Sequence, residues 1–332
     1  MILRQSRFVM NRRSISPAVG VVLMVMIVLL LAVTTATLMV GFSGELESAE
    51  EVDLYDDSQC PGFRTITYEP PTFDKVQSAI SENNCALWLN AGDVETDGSD
   101  RVKRWYDSGR NGFDAIQSTA ADRPTLVSNA VNGQPALDFD GQNQATTDPD
   151  DTDGQFLRLD RDVSDLNLDE DSGMVVIAVV RVEEFDRGGT WTIGEAGETG
   201  REFSMRTCST YGFDSCSVGG DASGEWRAQQ WDVADVDFTS PETDGQWAIL
   251  VHSYDGEQVI VRVNGQSLAS ESANLDLGTS RDIQLGRWER TPGDPHWYFD
   301  GQMVEVLIFD QSLANEDIEN VESYLNTKYQ IY

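Results

Sequence analysis

Between Ala18 and Val40 the chain runs for 23 residues without a charge, relieved only by Gly20 and the hydroxyls of Thr34, Thr35 and Thr37. As an α-helix this segment reaches across roughly 30 Å of hydrocarbon. A secretory signal has a shorter apolar region, about 7–15 residues, and ends at a small-residue cleavage site; no A-x-A site follows here. Arg4, Arg7, Arg12 and Arg13 precede the run, and Glu45, Glu47, Glu50, Glu51 and Asp53 follow it. Because a basic flank stays on the cytoplasmic side, everything after Phe42 is expected outside the cell.

The helix begins unusually. Ser16 offers a capping hydroxyl and Pro17 suits the first helical position, and both follow Arg12-Arg13 directly. The string Arg12-Arg13-Ser14-Ile15-Ser16-Pro17-Ala18-Val19-Gly20 resembles the N-terminus of archaeal type IV pilins. The resemblance implies a leader at 1–13, cut on the cytoplasmic side between Arg13 and Ser14, and an apolar helix at 14–42 that packs with other pilin subunits or stays in the membrane. It departs from bacterial pilins in having no glutamate near the mature N-terminus. A plain single-pass anchor is the alternative.

The 332 residues carry 57 acidic against 23 basic groups, a formal charge of −34. Such a surface repels phosphate, which excludes nucleic acid and anionic membrane surfaces as partners of the outer part. Lysine occurs only at Lys75, Lys103 and Lys328. An acidic, lysine-poor chain resembles the proteins of salt-loving archaea, where high ionic strength screens self-repulsion.

Cys60, Cys85, Cys208 and Cys216 all lie beyond the apolar run, and an even number outside the cell favours disulfides. The short loop STYGFDS between Cys208 and Cys216 suits a local bond, which leaves Cys60–Cys85; buried thiols are the alternative.

Residues 43–82 are polar and acidic, broken by Pro61 and Pro70-Pro71, and read as a stalk. From 83 to 332, strand-like segments follow at Cys85, Pro135, Phe156, Gly173, Thr190, Arg201, Glu225, Trp247, Glu257, Ile283 and Met303, with Asp255-Gly256 and Asn264-Gly265 as hairpin turns. One helix is expected, Leu313 to Tyr329, capped by Ser312 and with Ile318, Val321 and Leu325 on one face. The fold class is therefore mostly β, an N-terminal apolar helix followed by a β-sandwich and a C-terminal helix. Ala86-Leu87-Trp88-Leu89-Asn90-Ala91, Trp105-Tyr106-Asp107-Ser108-Gly109, Arg123-Pro124-Thr125-Leu126, Asn132-Gly133-Gln134-Pro135-Ala136-Leu137 and Tyr298 to Phe309 resemble the concanavalin A-like lectin/glucanase superfamily, particularly LamG-type jelly rolls. That resemblance implies a jelly roll over 83–332, in a superfamily that holds lectins, hydrolases and adhesion modules.

The β-glucan-cutting members of the superfamily carry an E-x-D-x-x-E strand that sets two carboxyls about 5 Å apart. No such string occurs here; the nearest, Glu51 to Asp56 and Glu95 to Asp100, end in aspartate. An enzyme is not expected. Of the two histidines, His252 sits in an apolar strand and reads as structural, and His296 lacks a nucleophile context. Asp93-Val-Glu95-Thr-Asp97-Gly98 begins like an EF-hand loop but has Arg104 where the bidentate glutamate belongs. Asp148, Asp150, Asp151 and Asp153 form a denser carboxylate loop; the LamG resemblance implies a structural calcium there or near Asp169 and Asp171, against a solvated loop, and no other cofactor. Trp226, Trp231, Trp288 and Trp297, with His296, suit stacking on sugar rings, as they suit a core, and no carbohydrate-binding residue is singled out. The expectation is a pilin-like surface protein, a minor or tip subunit whose jelly-roll head meets glycans or cell-surface proteins. A membrane-anchored glycan hydrolase and a tethered envelope protein are the alternatives.

Overall fold

The fold is that of a computed structural model, which describes residues 85–109, 111–141, 154–168, 173–185, 187–208, 224–277, 282–289 and 296–332. By its internal contacts the chain divides into Met1–Asp56 and Asp57–Tyr332, and all described residues belong to the second unit. The leader, the apolar helix, the stalk, Cys60, Cys216 and the carboxylate loop at Asp148, Asp150, Asp151 and Asp153 lie outside the described residues. Among the described residues no helix is long and apolar enough to cross a membrane.

Two layers of antiparallel strands make up a sandwich. In the front layer are β4 (Thr125–Val131), β5 (Gln134–Phe139), β7 (Met174–Glu184), β12 (Trp247–Tyr254), β13 (Gln258–Val263), β14 (Gln266–Ser272) and β18 (Asp300–Phe309), paired in the order β4-β5-β18-β7-β12-β13-β14. The back layer runs β2 (Val102–Asp107), β3 (Ala115–Ile116), β6 (Leu157–Asp162), β15 (Asp282–Leu285), β8 (Gly189–Gly194), β9 (Glu202–Thr207), β10 (Glu225–Gln230) and β11 (Ala234–Thr239). Strand β1 (Cys85–Thr96) belongs to both, pairing with β18 in its first half and with β2 at Leu89 and again, past a break in register, from Val94 to Thr96. A short hairpin, β16 (Arg287–Glu289) and β17 (His296–Tyr298), branches from the end of β15.

Strand β7 shows how the sequence specifies this arrangement. Its residues alternate between faces, and both faces are apolar: Met174, Val176, Ala178, Val180 and Val182 enter the core between the layers, while Val175, Ile177 and Val179 pack beneath the C-terminal helix. A strand covered on both sides reads as a continuous apolar run, hence MVVIAVVRV. The hairpin signals also hold, with Asn264 and Gly265 both at positive φ (50° and 78°) between β13 and β14, as a two-residue turn requires.

Helix α1 spans Asn315–Tyr329 and starts two residues later than its sequence pattern suggests. Ala314 is extended (ψ 149°), and its carbonyl, without any side-chain cap, receives the N–H groups of Asp317 and Ile318. Ile318, Val321 and Leu325 are buried as expected, together with Tyr324 and Tyr329. At Trp88, Glu305 and Lys328 this covered face becomes polar. The fully buried Glu305 carboxylate accepts Trp88 Nε1–H (2.5 Å), Lys328 Nζ–H (2.7 Å), Asn90 Nδ2–H (3.3 Å) and the Tyr329 hydroxyl.

Candidate functional site

The outer face of the back layer is different. Along β9, Phe203 and Met205 point into the core, and the alternation turns Glu202, Ser204 and Arg206 outward. An outward row of polar side chains belongs in water, yet all three are fully buried. Strand pairing extends the row sideways: Ser204 lies in register with Thr192 on β8 and Gln229 on β10, Thr192 with Gln284 on β15, and Arg206 with Arg227 on β10.

The cover is the β16–β17 hairpin. It approaches so closely that a Cβ on Gly189 would stand 2.3 Å from the Trp288 main-chain nitrogen, and it leaves β15 through Gly286, whose φ of +83° suits glycine. Thr192 Oγ1–H donates to the Arg287 carbonyl at 2.9 Å. Trp288 Nε1–H donates to Glu202 Oε1 at 2.5 Å. The Trp288 indole lies against Trp297 (centroids 4.2 Å apart, planes at 13°) and stacks also with Trp231 (6.0 Å, 28°). Trp288 is buried, while Trp231 and Trp297 are half-buried. The guanidiniums of Arg206 and Arg187 sit 5.1 and 5.7 Å from the Trp297 ring centre, within cation–π range.

Beneath this stack Glu202 accepts two further donors: Oε1 takes the Ser204 hydroxyl as well as Trp288, and Oε2 takes the Gly197 N–H at 2.7 Å. Burial pushes its carboxyl up to about 7, against the pull of these bonds and of the Arg206 charge. Ionised and neutral forms thus coexist near neutral pH. Arg206 Nε–H donates to Gln229 Oε1 at 2.5 Å. Gln229 Nε2 and Thr190 Oγ1, both in fully buried side chains, have no hydrogen-bond partner among the described residues. Buried polar atoms in that state are costly, and here they lie on the strands that carry the row.

Other residues marked by the sequence have different places. Trp226 is fully buried between Phe185 and Phe238, donating Nε1–H to Thr243 Oγ1 at 2.9 Å, so it is a core residue and no sugar platform. His252 is structural: it stacks on Phe203 (3.6 Å between centroids), meets the Gln230 amide at 2.8 Å, and is held neutral by burial, which pushes it down to about 3. The side chain of His296 lies outside the described residues. Asp97 makes a turn, accepting the N–H groups of Ser99 and Arg101 and pairing with Arg123 at 3.1 Å. Among the described residues no group of three or more His, Cys, Asp or Glu could hold a metal ion. Cys208 is buried and disulfide-bonded, with its partner outside the described residues; Cys85 is buried, its sulfur 3.7 Å from the Leu87 carbonyl. Glu202, Ser204, Arg206, Thr192 and Gln229 escaped the sequence reading. Their only signal is the period-two pattern of TWTIG, REFSMRT and EWRAQQ, which by itself describes a solvated face.

Residues 160–319 match the family model Laminin_G_3, described as the concanavalin A-like lectin/glucanases superfamily. Among solved structures, the receptor-binding domain of the botulinum neurotoxin C/D mosaic serotype is 12% identical, with a TM-score of 0.47 over 73% of this chain and 51% of that one. The binding domain of botulinum neurotoxin DC in complex with SialylT is 11% identical (TM-score 0.45; 73% and 52% covered). Trypanosoma rangeli sialidase in complex with the inhibitor DANA is 16% identical (TM-score 0.43; 71% and 32% covered). The chain spans about half the length of the toxin structures and a third of the sialidase. No curated protein matches it. Strand pairing and the family match agree on a mostly-β jelly-roll sandwich with a C-terminal helix, similar over residues 160–319 to the concanavalin A-like lectin/glucanase domains.

Proposed function

We propose that the protein is a cell-surface glycan-binding protein of pilin-like build, whose jelly-roll head meets saccharides on the outer face of its back layer. One observation carries the binding reading: a stack of three tryptophans, two of them half-buried, covers a buried polar row in which Gln229 Nε2 has no hydrogen-bond partner among the described residues. An indole face suits the C–H face of a pyranose, and a buried amide or hydroxyl suits the ring's hydroxyls, whose loss on the wrong ligand would leave them unpaired. The N-terminal part supports surface display. Its apolar run, basic leader and Ser16-Pro17 start fit an assembly helix that begins at Ser14 and packs with other subunits, with the head outside the cell. A minor or tip position fits a head much larger than the helix. N-terminal sequencing of the protein from its native membrane is expected to return Ser14; Met1 retained, or a cut beyond Val40, would overturn the pilin part and leave the head untouched.

A hydrolase is the second reading, favoured by Glu202 alone. A carboxyl held near 7 is a competent general acid. Release of reducing ends from a polysaccharide, abolished in Glu202→Gln, would establish it.

A further inference from the structure

The strongest link between the tryptophan cover and the sheet beneath it is one bond. Trp288 is the middle indole of the stack, and its ring nitrogen donates to Glu202 Oε1 at 2.5 Å. All three partners of the Glu202 carboxyl approach it as donors: Trp288 Nε1–H, the Ser204 hydroxyl and the Gly197 N–H. That geometry fits a carboxylate, which only accepts, and not a carboxylic acid, which must give one position to its own O–H. Of the three, only the serine hydroxyl can turn and become an acceptor; an indole and a main-chain amide cannot. A proton on Oε1 is therefore taken by Ser204 turned to accept it, and the Trp288 N–H is left on a neutral oxygen, which replaces a charge-assisted bond by a weaker neutral one.

Resting on the binding reading above, we propose that Glu202 is a positioning residue: its ionised carboxylate anchors Trp288, and loss of that charge loosens the Trp231–Trp288–Trp297 stack, so that ligand binding at this face is coupled to one proton. The other charges that bear on the site are Arg206 on the same strand, Arg187 beside Trp297, Arg227 on β10, Asp235 and Asp237 on β11, and Arg287 and Glu289 on β16. Arg227 bonds to Asp237 (2.6 Å) and lies 3.5 Å from Asp235, and Arg287 bonds to Glu289 (2.5 Å). Arg206 lowers the titration of both Glu202 and Asp235. Glu202 is the member of this set that is both fully buried and poised near neutrality. Burial also shields it from the screening that molar salt imposes on surface charges, so the coupling survives in a salt-rich medium.

The test uses the full chain in detergent and molar KCl. Near-ultraviolet circular dichroism and tryptophan fluorescence of the ligand-free protein, followed from pH 5 to 9, are expected to show a one-proton transition near pH 7. Glu202→Gln is expected to abolish it with the far-ultraviolet spectrum unchanged. Trp288→Phe keeps an aromatic ring in the stack but removes a donor that stabilises the carboxylate, so the signal from the remaining tryptophans is expected to titrate at higher pH. A transition that persists in Glu202→Gln, its absence from the unaltered protein, or a midpoint unmoved in Trp288→Phe would overturn the proposal. Saccharides found to bind are expected to do so roughly five-fold more weakly at pH 5.5 than at 8.5, a difference that vanishes in Glu202→Gln. Equal affinity at both pH values in the unaltered protein refutes the coupling. A chain with the spectroscopic transition but no saccharide ligand keeps the Glu202 anchor and loses the glycan reading.

Discussion

Each layer of the sandwich has an outer face with a buried glutamate that holds a tryptophan indole at 2.5 Å. Under α1, Glu305 also meets a cation, the Lys328 ammonium at 2.7 Å, and the amide and phenol of Asn90 and Tyr329 close the set. Valines, isoleucines and leucines surround it. Under the β16–β17 hairpin, Glu202 has hydroxyl, indole and amide donors, its neighbours are polar, and Gln229 of the same row has an amide nitrogen without a partner among the described residues. Around Glu305 the chain itself closes the set. Beside Glu202, Gln229 Nε2 has no hydrogen-bond partner among the described residues, which supports the proposed placement of a ligand on the back face.

The largest effect expected of this difference falls on the front. Lys328→Met leaves Glu305 buried without its counter-charge and should cost about 3–5 kcal/mol of unfolding free energy, read by denaturant titration in molar KCl. On the back, Arg227→Met removes a guanidinium from the carboxylates of Asp235 and Asp237 at a partly exposed edge and should cost less than half as much. Equal losses would erase the distinction between a structural and a functional face.

Next in size is the pH response of the back face. The folded-state carboxyl of Glu202 is raised from 4.5 to about 7, so folding binds its proton more tightly than the unfolded chain does. The stability this contributes is complete below pH 4.5 and is lost as pH rises through 7, about 3 kcal/mol in all. His252, pushed from 6.5 down to about 3, works in the opposite sense: its contribution is present above pH 6.5 and lost as pH falls toward 3. Between 4.5 and 6.5 the two slopes oppose each other. Asp300, raised to about 6, opposes His252 over part of the same window, so the effect of Glu202→Gln is read as a difference: the variant's stability relative to the unaltered protein should rise with pH from 4.5 to 7, and a difference curve that stays flat would mean that Glu202 titrates normally.

Much of the fold was legible because burial on two faces leaves a strong mark. The unbroken apolar run of β7, the Asn264-Gly265 turn and the Ile318-Val321-Leu325 stripe each follow from one local rule. The site was not legible, for a reason that can be stated residue by residue. Glu202, Ser204 and Arg206 alternate with core residues as any solvated edge would, and what buries them is an indole 86 positions away in the sequence. Only the pairing of β15 with β8, and the close pass of the hairpin over Gly189, brings that indole onto the row. Trp226 and Trp288 look alike in the sequence, yet the first points into the core and the second covers the outer face, since strand phase rather than residue type decides the side.

A smaller effect is expected at the rim of the back face. Cys208 follows β9 and is disulfide-bonded. The sequence reading pairs it with Cys216, closing a short loop whose bond would contribute roughly 2–3 kcal/mol. Non-reducing peptide mapping should yield a Cys208–Cys216 fragment, and a Cys60–Cys208 fragment would reassign the bond.

Smallest in stability and largest in consequence is the exposed part of the stack. Trp297→Ala removes a half-buried ring and should shift unfolding by about 1 kcal/mol or less, but it deletes the surface on which a sugar would rest. The decisive measurement is a saccharide array probed with the full chain and with Trp297→Ala in molar KCl at pH 8.5. Binding by the unaltered protein that falls at least ten-fold in the variant is the expected result; no saccharide bound, or one bound equally by both, would contradict the assignment of the back face as the binding site.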